Sequence, residues 1–318
     1  MLKKMPPLIR PRKLKPGATI GIVAPASPMD PENLEKGVRY LESLGYRVAI
    51  GRHVYARQGY LAGSDADRAA DLQEMFTRPD IDAIFCVRGG FGVLRILHLL
   101  DYDAIRANPK ILVGYSDITA LQLSLFRKTG LITFSGPMVA VEMARGIHPK
   151  TEEYFWQILT SGQDRLELPP LAPPFYESHR RGKAVGRLLG GCLSLVSFLI
   201  GTPYGPDFSD ALLFLEDVGE EPYRIDGRMA HLRYAGILEK AAGLILGKFE
   251  DCEPARGKPS LSLDEVLNQY LDAVDVPSIK YFDYGHGKIK HTLPVGLLAE
   301  LDADEPVLTL MEPAVEPT

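Results

Sequence analysis

The chain has 318 residues and a net charge of −5, with 46% hydrophobic and 24% charged residues. This is the composition of a globular protein, and the length exceeds what one small core fills, so we expect two domains. Lys and Arg are scattered along an acidic chain and no apolar run is long enough to span a bilayer, so we expect neither nucleic acid nor a membrane as a partner.

The N-terminal half alternates strands with helices. Apolar runs predict strands at residues 19–24, 46–50, 81–87 and 111–113, and helical periodicity predicts helices at 31–44, at 64–76, near Val93 and from Ile118. Such alternation is typical of βαβ units, which build a parallel sheet with helices on both faces. We therefore predict an α/β domain over residues 1–165. In such sheets, functional residues gather at the carboxyl ends of the strands.

The C-terminal half is less regular. Residues 166–183 join a proline-rich stretch to a polar one and predict a linker. Strands are then predicted at 184–189, 211–216, 243–249, 279–282 and 306–311, with helices at 191–200, 223–234 and 263–274. We predict an α+β domain over residues 184–318. Gly227 falls inside one of these helices and should weaken it locally.

Ser116 lies at the turn between the strand at 111–113 and the helix predicted from Ile118. A serine on such a turn can be held on a tight elbow, where the amides of the helix N-terminus stabilise developing negative charge, as a nucleophile requires. The Gly-x-Ser-x-Gly elbow motif is not matched, because position 118 is Ile. An ordinary N-cap explains Ser116 equally well.

A serine nucleophile needs a base and a group that orients the base. Among seven histidines, His286 has a glycine on each side directly after a predicted strand, which leaves its ring uncovered. A surface turn is the alternative explanation. Glu216 ends a buried strand, where an acid is rarely left unpaired. A structural salt-bridge cluster is the alternative here, because charged residues follow: Asp217, Glu220, Glu221 and Arg224.

The turn Arg88-Gly89-Gly90-Phe91-Gly92 follows the strand predicted at residues 81–87. It lacks the Gly-Lys-Ser/Thr sequence of a phosphate loop, so a nucleotide site is weakly supported. Beside a nucleophile, a glycine amide of this turn and the amide of Asp117 can donate to an oxyanion. Arg88 would then be a fixed cation suited to a substrate carboxylate.

The cysteines predict no disulfide framework and no metal site. Cys86, Cys192 and Cys252 are far apart and odd in number, and no Cys/His spacing suits zinc. The Lys-rich residues 1–15 are interrupted by prolines and lack the apolar core of a secretory signal. We therefore expect a cytoplasmic protein without a bound metal.

Several of these motifs together resemble the serine LD-carboxypeptidases and the related microcin-immunity peptidases of peptidase family S66. The matching blocks run in order over nearly the whole chain, at residues 21–27, 87–92, 114–120, 133–137, 189–193, 215–220 and 284–286. The resemblance implies a flavodoxin-like N-terminal domain, similar to class I glutamine amidotransferases, and a C-terminal α+β domain. Many members carry Asn where Cys192 stands, which puts a substrate contact by that side chain in doubt.

The resemblance also implies a Ser–His–Glu hydrolase. Ser116 would be the nucleophile, His286 the general base and Glu216 the group that orients the histidine. The amides of Gly90 and Asp117 would form the oxyanion hole. The serine would belong to the N-terminal domain and the other two residues to the C-terminal one, so we expect the site at the domain interface, where a domain shift can misalign base and nucleophile in the resting enzyme.

The implied activity is hydrolysis of an amide between an L-centre and a terminal D-amino acid, with murein tetrapeptide as the expected substrate and D-alanine as the product. No metal or organic cofactor is required, and the resemblance alone suggests a homodimer. Two alternatives remain. The first is an immunity-type peptidase that cleaves peptidyl- or aminoacyl-nucleotide antibiotics, and the second is a non-catalytic small-molecule binder. The Glu-Glu-Pro-Tyr-Arg segment after Glu216 favours the carboxypeptidase branch.

Overall fold

The computed structural model describes residues 6–173 and 175–316. The chain forms two compact units. Unit 1 comprises Met1–Gln163, Thr292–Gly296 and Pro313–Thr318, and unit 2 comprises Asp164–His291 and Leu297–Glu312. Residues 1–5 of the Lys-rich segment, Pro174 of the predicted linker and residues 317–318 lie outside the described residues.

The strands and helices are numbered in chain order. The strands are β1 (Thr19–Val23), β2 (Arg47–Ile50), β3 (Ala83–Cys86), β4 (Ile111–Gly114), β5 (Thr133–Ser135), β6 (Leu166–Leu168), β7 (Glu177–Arg180), β8 (Lys183–Cys192), β9 (Ala211–Glu216), β10 (Gly243–Leu246), β11 (Ser278–Lys280), β12 (Leu293–Val295), β13 (Leu298–Asp302) and β14 (Val307–Leu310). The α-helices are α1 (Pro31–Ser43), α2 (Asp65–Thr77), α3 (Val93–Ile96), α4 (Tyr102–Ala107), α5 (Ile118–Thr129), α6 (Pro149–Thr160), α7 (Leu193–Leu199), α8 (Pro222–Tyr234), α9 (Ile237–Lys240) and α10 (Leu263–Asp272). None of the helices in the described ranges combines the length and the apolar character needed to cross a membrane.

The sheet of unit 1 has the strand order β12-β5-β4-β3-β1-β2. Strands β1 to β5 run parallel, and β12 is antiparallel at the edge beside β5. The order 2-1-3-4-5 is that of a flavodoxin-like doubly wound sheet, in which ligands bind where the order reverses, between β1 and β3. The predicted parallel-sheet N-terminal domain is therefore confirmed.

The strands at the centre of this sheet are continuous apolar runs. Every residue of β1, β3 and β4 is buried, as expected of a parallel sheet with helices on both faces. The face of α5 that carries the predicted helical repeat is also buried. Because the strands are held so rigidly, the loops that leave their carboxyl ends have fixed starting points.

The sheet of unit 2 is mixed, with the order β6-β14-β13-β8-β9-β10-β11-β7. Its central strands β8 to β11 are parallel, and β13, β14, β6 and β7 pair antiparallel toward the two edges. The predicted α+β character of this half is confirmed. Strand β9 has the predicted bounds, and α8 runs through Gly227 without a break.

Two segment assignments made from the sequence need correction. The predicted linker, residues 166–183, contains β6 and β7, which form the two edges of the unit 2 sheet. Residues 292–296 and 313–316, expected in the C-terminal domain, belong to unit 1. In addition, β8 continues to Cys192, so α7 begins two residues later than predicted. The pairing of Gly190–Cys192 with β9 extends the strand there.

We expect the buried His291 to make the stability of unit 2 sensitive to pH. Its ring is fully buried, and Nε2 donates a hydrogen bond to the carbonyl of Pro169 at 2.8 Å. Burial lowers the pKa of His291 to about 4, below its ordinary value of 6.5, because the buried imidazolium loses its hydration. The stability that the neutral ring contributes is therefore complete above pH 6.5 and is lost as the pH falls toward 4.

We expect the free energy of unfolding to fall by about 2 to 3 kcal/mol from this residue alone between pH 7.5 and pH 4.5. Urea denaturation of the wild type and of His291→Gln at both pH values measures the effect, and the variant should lack this part of the pH dependence. His98→Gln, at an exposed histidine of unit 1, is the control. An unchanged pH dependence in His291→Gln would contradict the assignment.

Candidate active site

Ser116 adopts a left-handed backbone conformation, with φ of +65°, between the end of β4 and the start of α5. A non-glycine residue pays roughly 1 to 2 kcal/mol for this conformation. The N-cap of α5 is Asp117, not Ser116, so the N-cap interpretation of the serine is wrong. A strained, partly exposed serine on a strand-to-helix turn has the geometry of a nucleophile elbow.

The glycine-rich turn after β3 lies directly against this elbow. A Cβ atom on Gly89 would lie 2.8 Å from Cβ of Ser116, 3.0 Å from its Oγ and 3.2 Å from the amide nitrogen of Asp117. Only glycine permits this approach. In the described part of the chain, neither the amide of Gly90 nor that of Asp117 donates a hydrogen bond. Unit 1 thus brings both predicted oxyanion donors onto adjoining loops beside the serine.

Ser27, in the loop after β1, is hydrogen-bonded to the glycine-rich turn. Its Oγ accepts a hydrogen bond from the amide of Phe91 at 3.0 Å, and its own amide lies 3.4 Å from the carbonyl of Gly89. Gly90 has φ of +118°, and a Cβ atom there would lie 2.3 Å from Oγ of Ser27. Sequence reasoning gave Ser27 no role, although the serine lies in one of the blocks that carry the family resemblance, residues 21–27.

The side chain of Asp117 ties the elbow to the helix that follows the glycine-rich turn. Its Oδ2 accepts a hydrogen bond from the amide of Val93, the first residue of α3, at 2.9 Å. The residue is 2% exposed. Burial raises the pKa of Asp117 to about 6, while the Val93 amide and the nearby Arg68 act in the opposite direction. The Asp117 carboxylate therefore fixes the loop whose backbone amide is a predicted oxyanion donor.

Arg88 is exposed at the end of β3, two residues before Gly90. Its Nη1 makes a long contact of 3.5 Å with the carbonyl of Pro28. This places a solvent-facing guanidinium on the same loop as a predicted oxyanion donor. The position is compatible with the role expected for a substrate carboxylate.

Glu216 and His286 are brought together in unit 2. Glu216, the last residue of β9, is fully buried, and its Oε2 accepts a hydrogen bond from Nδ1 of His286 at 2.7 Å. The histidine side chain is 18% exposed. The salt-bridge alternative applies instead to Glu220, which lies 2.9 Å from Arg228 and 3.7 Å from Arg224.

The loop that carries His286 is fixed by backbone pairing with the segment that follows β10. The amide of Lys248 donates to the carbonyl of Tyr284 at 2.9 Å, and Lys248 and Gly285 form a parallel bridge. Gly285 has φ of +125°, and a Cβ atom there would lie 3.0 Å from Oε2 of Glu216. Glycine is therefore required beside the His–Glu pair.

Asp283 anchors the same loop, and sequence reasoning missed it. It is fully buried, and its carboxylate accepts from Nζ of Lys248 and from the amide of Leu171, each at 2.6 Å. The only indication of this anchoring role in the sequence is that Asp283 lies three residues before His286. The ion pair between Asp283 and Lys248 joins the loop that carries His286 to the segment that follows β10.

Two family models match the chain. The LD-carboxypeptidase N-terminal domain matches residues 20–136, and the LD-carboxypeptidase C-terminal domain matches residues 185–301. The chain belongs to the LD-carboxypeptidase family. The family resemblance drawn from the motifs is confirmed, and the protein is a hydrolase of the carboxypeptidase type.

Curated relatives and solved structures agree with this membership. A probable murein peptide carboxypeptidase of Bacillus subtilis is 39% identical over 302 residues, covering 93% of this chain and 92% of the relative. The microcin C7 self-immunity protein MccF of Escherichia coli is 33% identical over 347 residues, covering 98% of each chain. The crystal structure of muramoyltetrapeptide carboxypeptidase from Oxalobacter formigenes has a TM-score of 0.83 and 30% identity, covering 92% of this chain and 98% of that one.

Cys192 is the position where this LD-carboxypeptidase departs from the expected motif. It ends β8 directly opposite Glu216 and is buried, with Sγ 3.5 Å from Oδ1 of Asp217. Burial and the two carboxylates raise the pKa of the Cys192 thiol well above its ordinary value. A reactive thiolate is therefore not expected at this position.

Proposed function

We propose that this LD-carboxypeptidase uses Ser116 as nucleophile, His286 as general base and Glu216 as the residue that orients the base. The strained Ser116 elbow carries the proposal, because an L-residue holds a left-handed φ only where the surrounding structure imposes it. The hydrogen bond between His286 and Glu216 supports it. Such a pair has the relation of base and orienter found in serine hydrolases.

The chemistry follows from the hydrogen bond at Nδ1. Because Glu216 accepts from Nδ1, the neutral imidazole of His286 keeps its lone pair on Nε2. In the proposed mechanism, Nε2 takes the proton of Ser116 while Oγ bonds to the scissile carbonyl carbon. It then gives that proton to the leaving amine as the carbon–nitrogen bond breaks. Water, activated by the same histidine, hydrolyses the acyl-enzyme and regenerates the serine.

The amides of Gly90 and Asp117 are proposed to stabilise the oxyanion of each tetrahedral intermediate. Both lie on loops that meet at Ser116, and Ser27 and Val93 contact those loops. Preorganised donors of this kind typically contribute about 10²- to 10³-fold each to the rate. Arg88 is proposed to bind the terminal carboxylate of the substrate, which a carboxypeptidase must recognise.

The proposed substrate is murein tetrapeptide, from which the enzyme releases D-alanine. The names of the Bacillus subtilis relative and the Oxalobacter formigenes structure support this substrate class. The second candidate is a peptidyl- or aminoacyl-nucleotide antibiotic, which the similarity to the microcin self-immunity protein favours. Both substrates present an amide to the same serine chemistry.

Three substrates distinguish these functions. The purified chain is incubated with murein tetrapeptide, with the same peptide ending in L-alanine, and with an aminoacyl-nucleotide, and the products are measured by mass spectrometry. We expect D-alanine from the first and no release from the second. Cleavage of the aminoacyl-nucleotide alone would favour the second candidate function, an immunity-type peptidase, over the murein carboxypeptidase. Binding without turnover of any substrate would contradict the hydrolase proposal.

We also infer a cytoplasmic homodimer that acts on peptides recycled from the cell wall. Only the family resemblance supports this part of the proposal. Sedimentation equilibrium should give twice the chain mass of 35.1 kDa. A species of single chain mass at micromolar concentration would overturn the dimer.

A further inference from the structure

The side chain of Arg68, on α2, is completely buried at the carboxyl edge of the unit 1 sheet. Its Nη1 donates to the carbonyls of Pro25 and Gly92, the latter at 3.0 Å, and its Nη2 donates to Asp65. Pro25 follows β1, and Gly92 ends the glycine-rich turn after β3. One guanidinium therefore joins the two loops that flank the reversal of strand order.

These two loops hold the proposed oxyanion donor Gly90. Ser27 contacts the turn on one side, through the amide of Phe91. On the other side Gly92 packs against Arg68 so closely that a Cβ atom there would lie 2.7 Å from Nη1. The next residue, Val93, is bound by Asp117. The segment around Gly90 is thus tied to the loops after β1 and β4 and to α2.

Burying an arginine side chain in a protein core is energetically unfavourable compared with burying an apolar side chain. Removing a guanidinium from water is strongly unfavourable, and apolar residues of similar volume often stabilise a core as well or better. Asp65 neutralises the charge, while Nε of Arg68 has no hydrogen-bond partner among the described residues. The planar Nη1 group of Arg68 directs its N–H groups at both carbonyls, and an apolar side chain can donate to neither. A lysine keeps the charge and can donate, but it lacks the fixed planar geometry of the guanidinium.

We propose that Arg68 is a positioning residue for catalysis, holding the Pro25 and Gly92 carbonyls so that the Gly90 amide stays aimed at the oxyanion. This inference rests on the proposed oxyanion hole. A misplacement of about 1 Å at a catalytic group can cost about 10²-fold in rate. Because the donor acts on the transition state, its loss should lower kcat with little change in KM.

The test compares Arg68→Met, Arg68→Lys and the control Arg95→Met. The side chain of Arg95 binds the same Asp65 and contacts neither loop carbonyl. Its backbone amide donates to the carbonyl of Gly92 at 3.1 Å, and the substitution retains that amide. We expect kcat to fall about 10- to 100-fold in Arg68→Met, less in Arg68→Lys, and by less than about twofold in Arg95→Met, with KM within about threefold throughout. In Arg68→Ala, added guanidinium should restore kcat in a saturable way. If Arg68→Met does not fold, the kcat of Arg68→Lys and the guanidinium rescue of Arg68→Ala test the proposal in its place.

A second readout separates this inference from the proposed function. The rate at which a phosphonate labels Ser116 depends on the oxyanion donors and not on the natural substrate. Slower labelling in Arg68→Met than in Arg95→Met supports the inference. Equal labelling and equal kcat in a folded Arg68→Met would overturn it and leave the proposed function intact. A wild type that is neither labelled nor active would instead overturn the proposed function, and the inference with it.

Discussion

Ser116→Ala should abolish D-alanine release, with a loss of ~10⁴-fold or more in kcat. Alanine removes the oxygen that forms the acyl-enzyme, and the oxyanion donors alone cannot replace that step. The loss should appear in kcat, because the substitution leaves the proposed substrate contacts at Arg88 and at the loop amides in place. Steady-state D-alanine release from murein tetrapeptide measures it, and circular dichroism confirms that the variant is folded.

Ser124→Ala is the matched control for this substitution. Ser124 lies in the helix that starts directly after the elbow, and its Oγ donates to the carbonyl of Ala120. It should keep activity within about twofold while losing about 1 kcal/mol of stability from the missing hydrogen bond. Equal D-alanine release by the wild type and Ser116→Ala would reject the serine mechanism. Similar losses in both variants would indicate a folding defect.

The backbone of Ser116 gives the same experiment a stability readout. Glycine adopts φ of +65° without the roughly 1 to 2 kcal/mol penalty of an L-residue, although it loses more entropy on folding. Ser116→Gly should therefore be inactive but at least as stable as Ser116→Ala. This pattern would show that the strain is retained for the position of the hydroxyl, as expected at a functional site.

Sequence patterns predicted the centre of each sheet because those strands are buried on both faces. Strand β9 was predicted with its observed bounds, since all six of its residues are buried. The two edge strands of the unit 2 sheet were missed for the opposite reason. Strands β6 and β7 are three and four residues long and partly polar, and their positions depend on pairing with β14 and β11. No local periodicity records such a pairing.

The candidate site, like the fold, was only partly predictable from the sequence. The sequence placed Ser116 and Glu216 at strand ends and His286 between two glycines, but it could not separate a nucleophile elbow from an N-cap at Ser116. In the structure, His286 lies in a loop six residues beyond the end of β11. The backbone angle of Ser116 separates the elbow from the N-cap, and the loop that packs against this backbone, at Gly89, is remote in sequence. Arg68 was missed because its place in the predicted helix at 64–76 does not show which loops its side chain contacts. The structure shows that Asp65, three residues earlier, binds both Arg68 and Arg95.

Glu216→Gln tests the other half of the proposed triad with almost no change in shape. Among the described residues, Oε1 of Glu216 is buried without a hydrogen-bond partner, and Oε2 accepts from Nδ1 of His286. A glutamine must therefore either leave its NH₂ group buried without an acceptor or donate it to Nδ1. The second arrangement places the imidazole proton on Nε2, where the ring cannot act as a base.

Both arrangements also remove the negative charge that stabilises the imidazolium formed during attack. We expect kcat to fall by ~10³- to 10⁴-fold, with the fold retained. Glu239→Gln, at a half-exposed glutamate of α9, is the control and should stay within about twofold of the wild type. If Glu216→Gln were folded and kept its activity, the carboxylate would serve only to hold the His286 loop, and another group would have to orient the base.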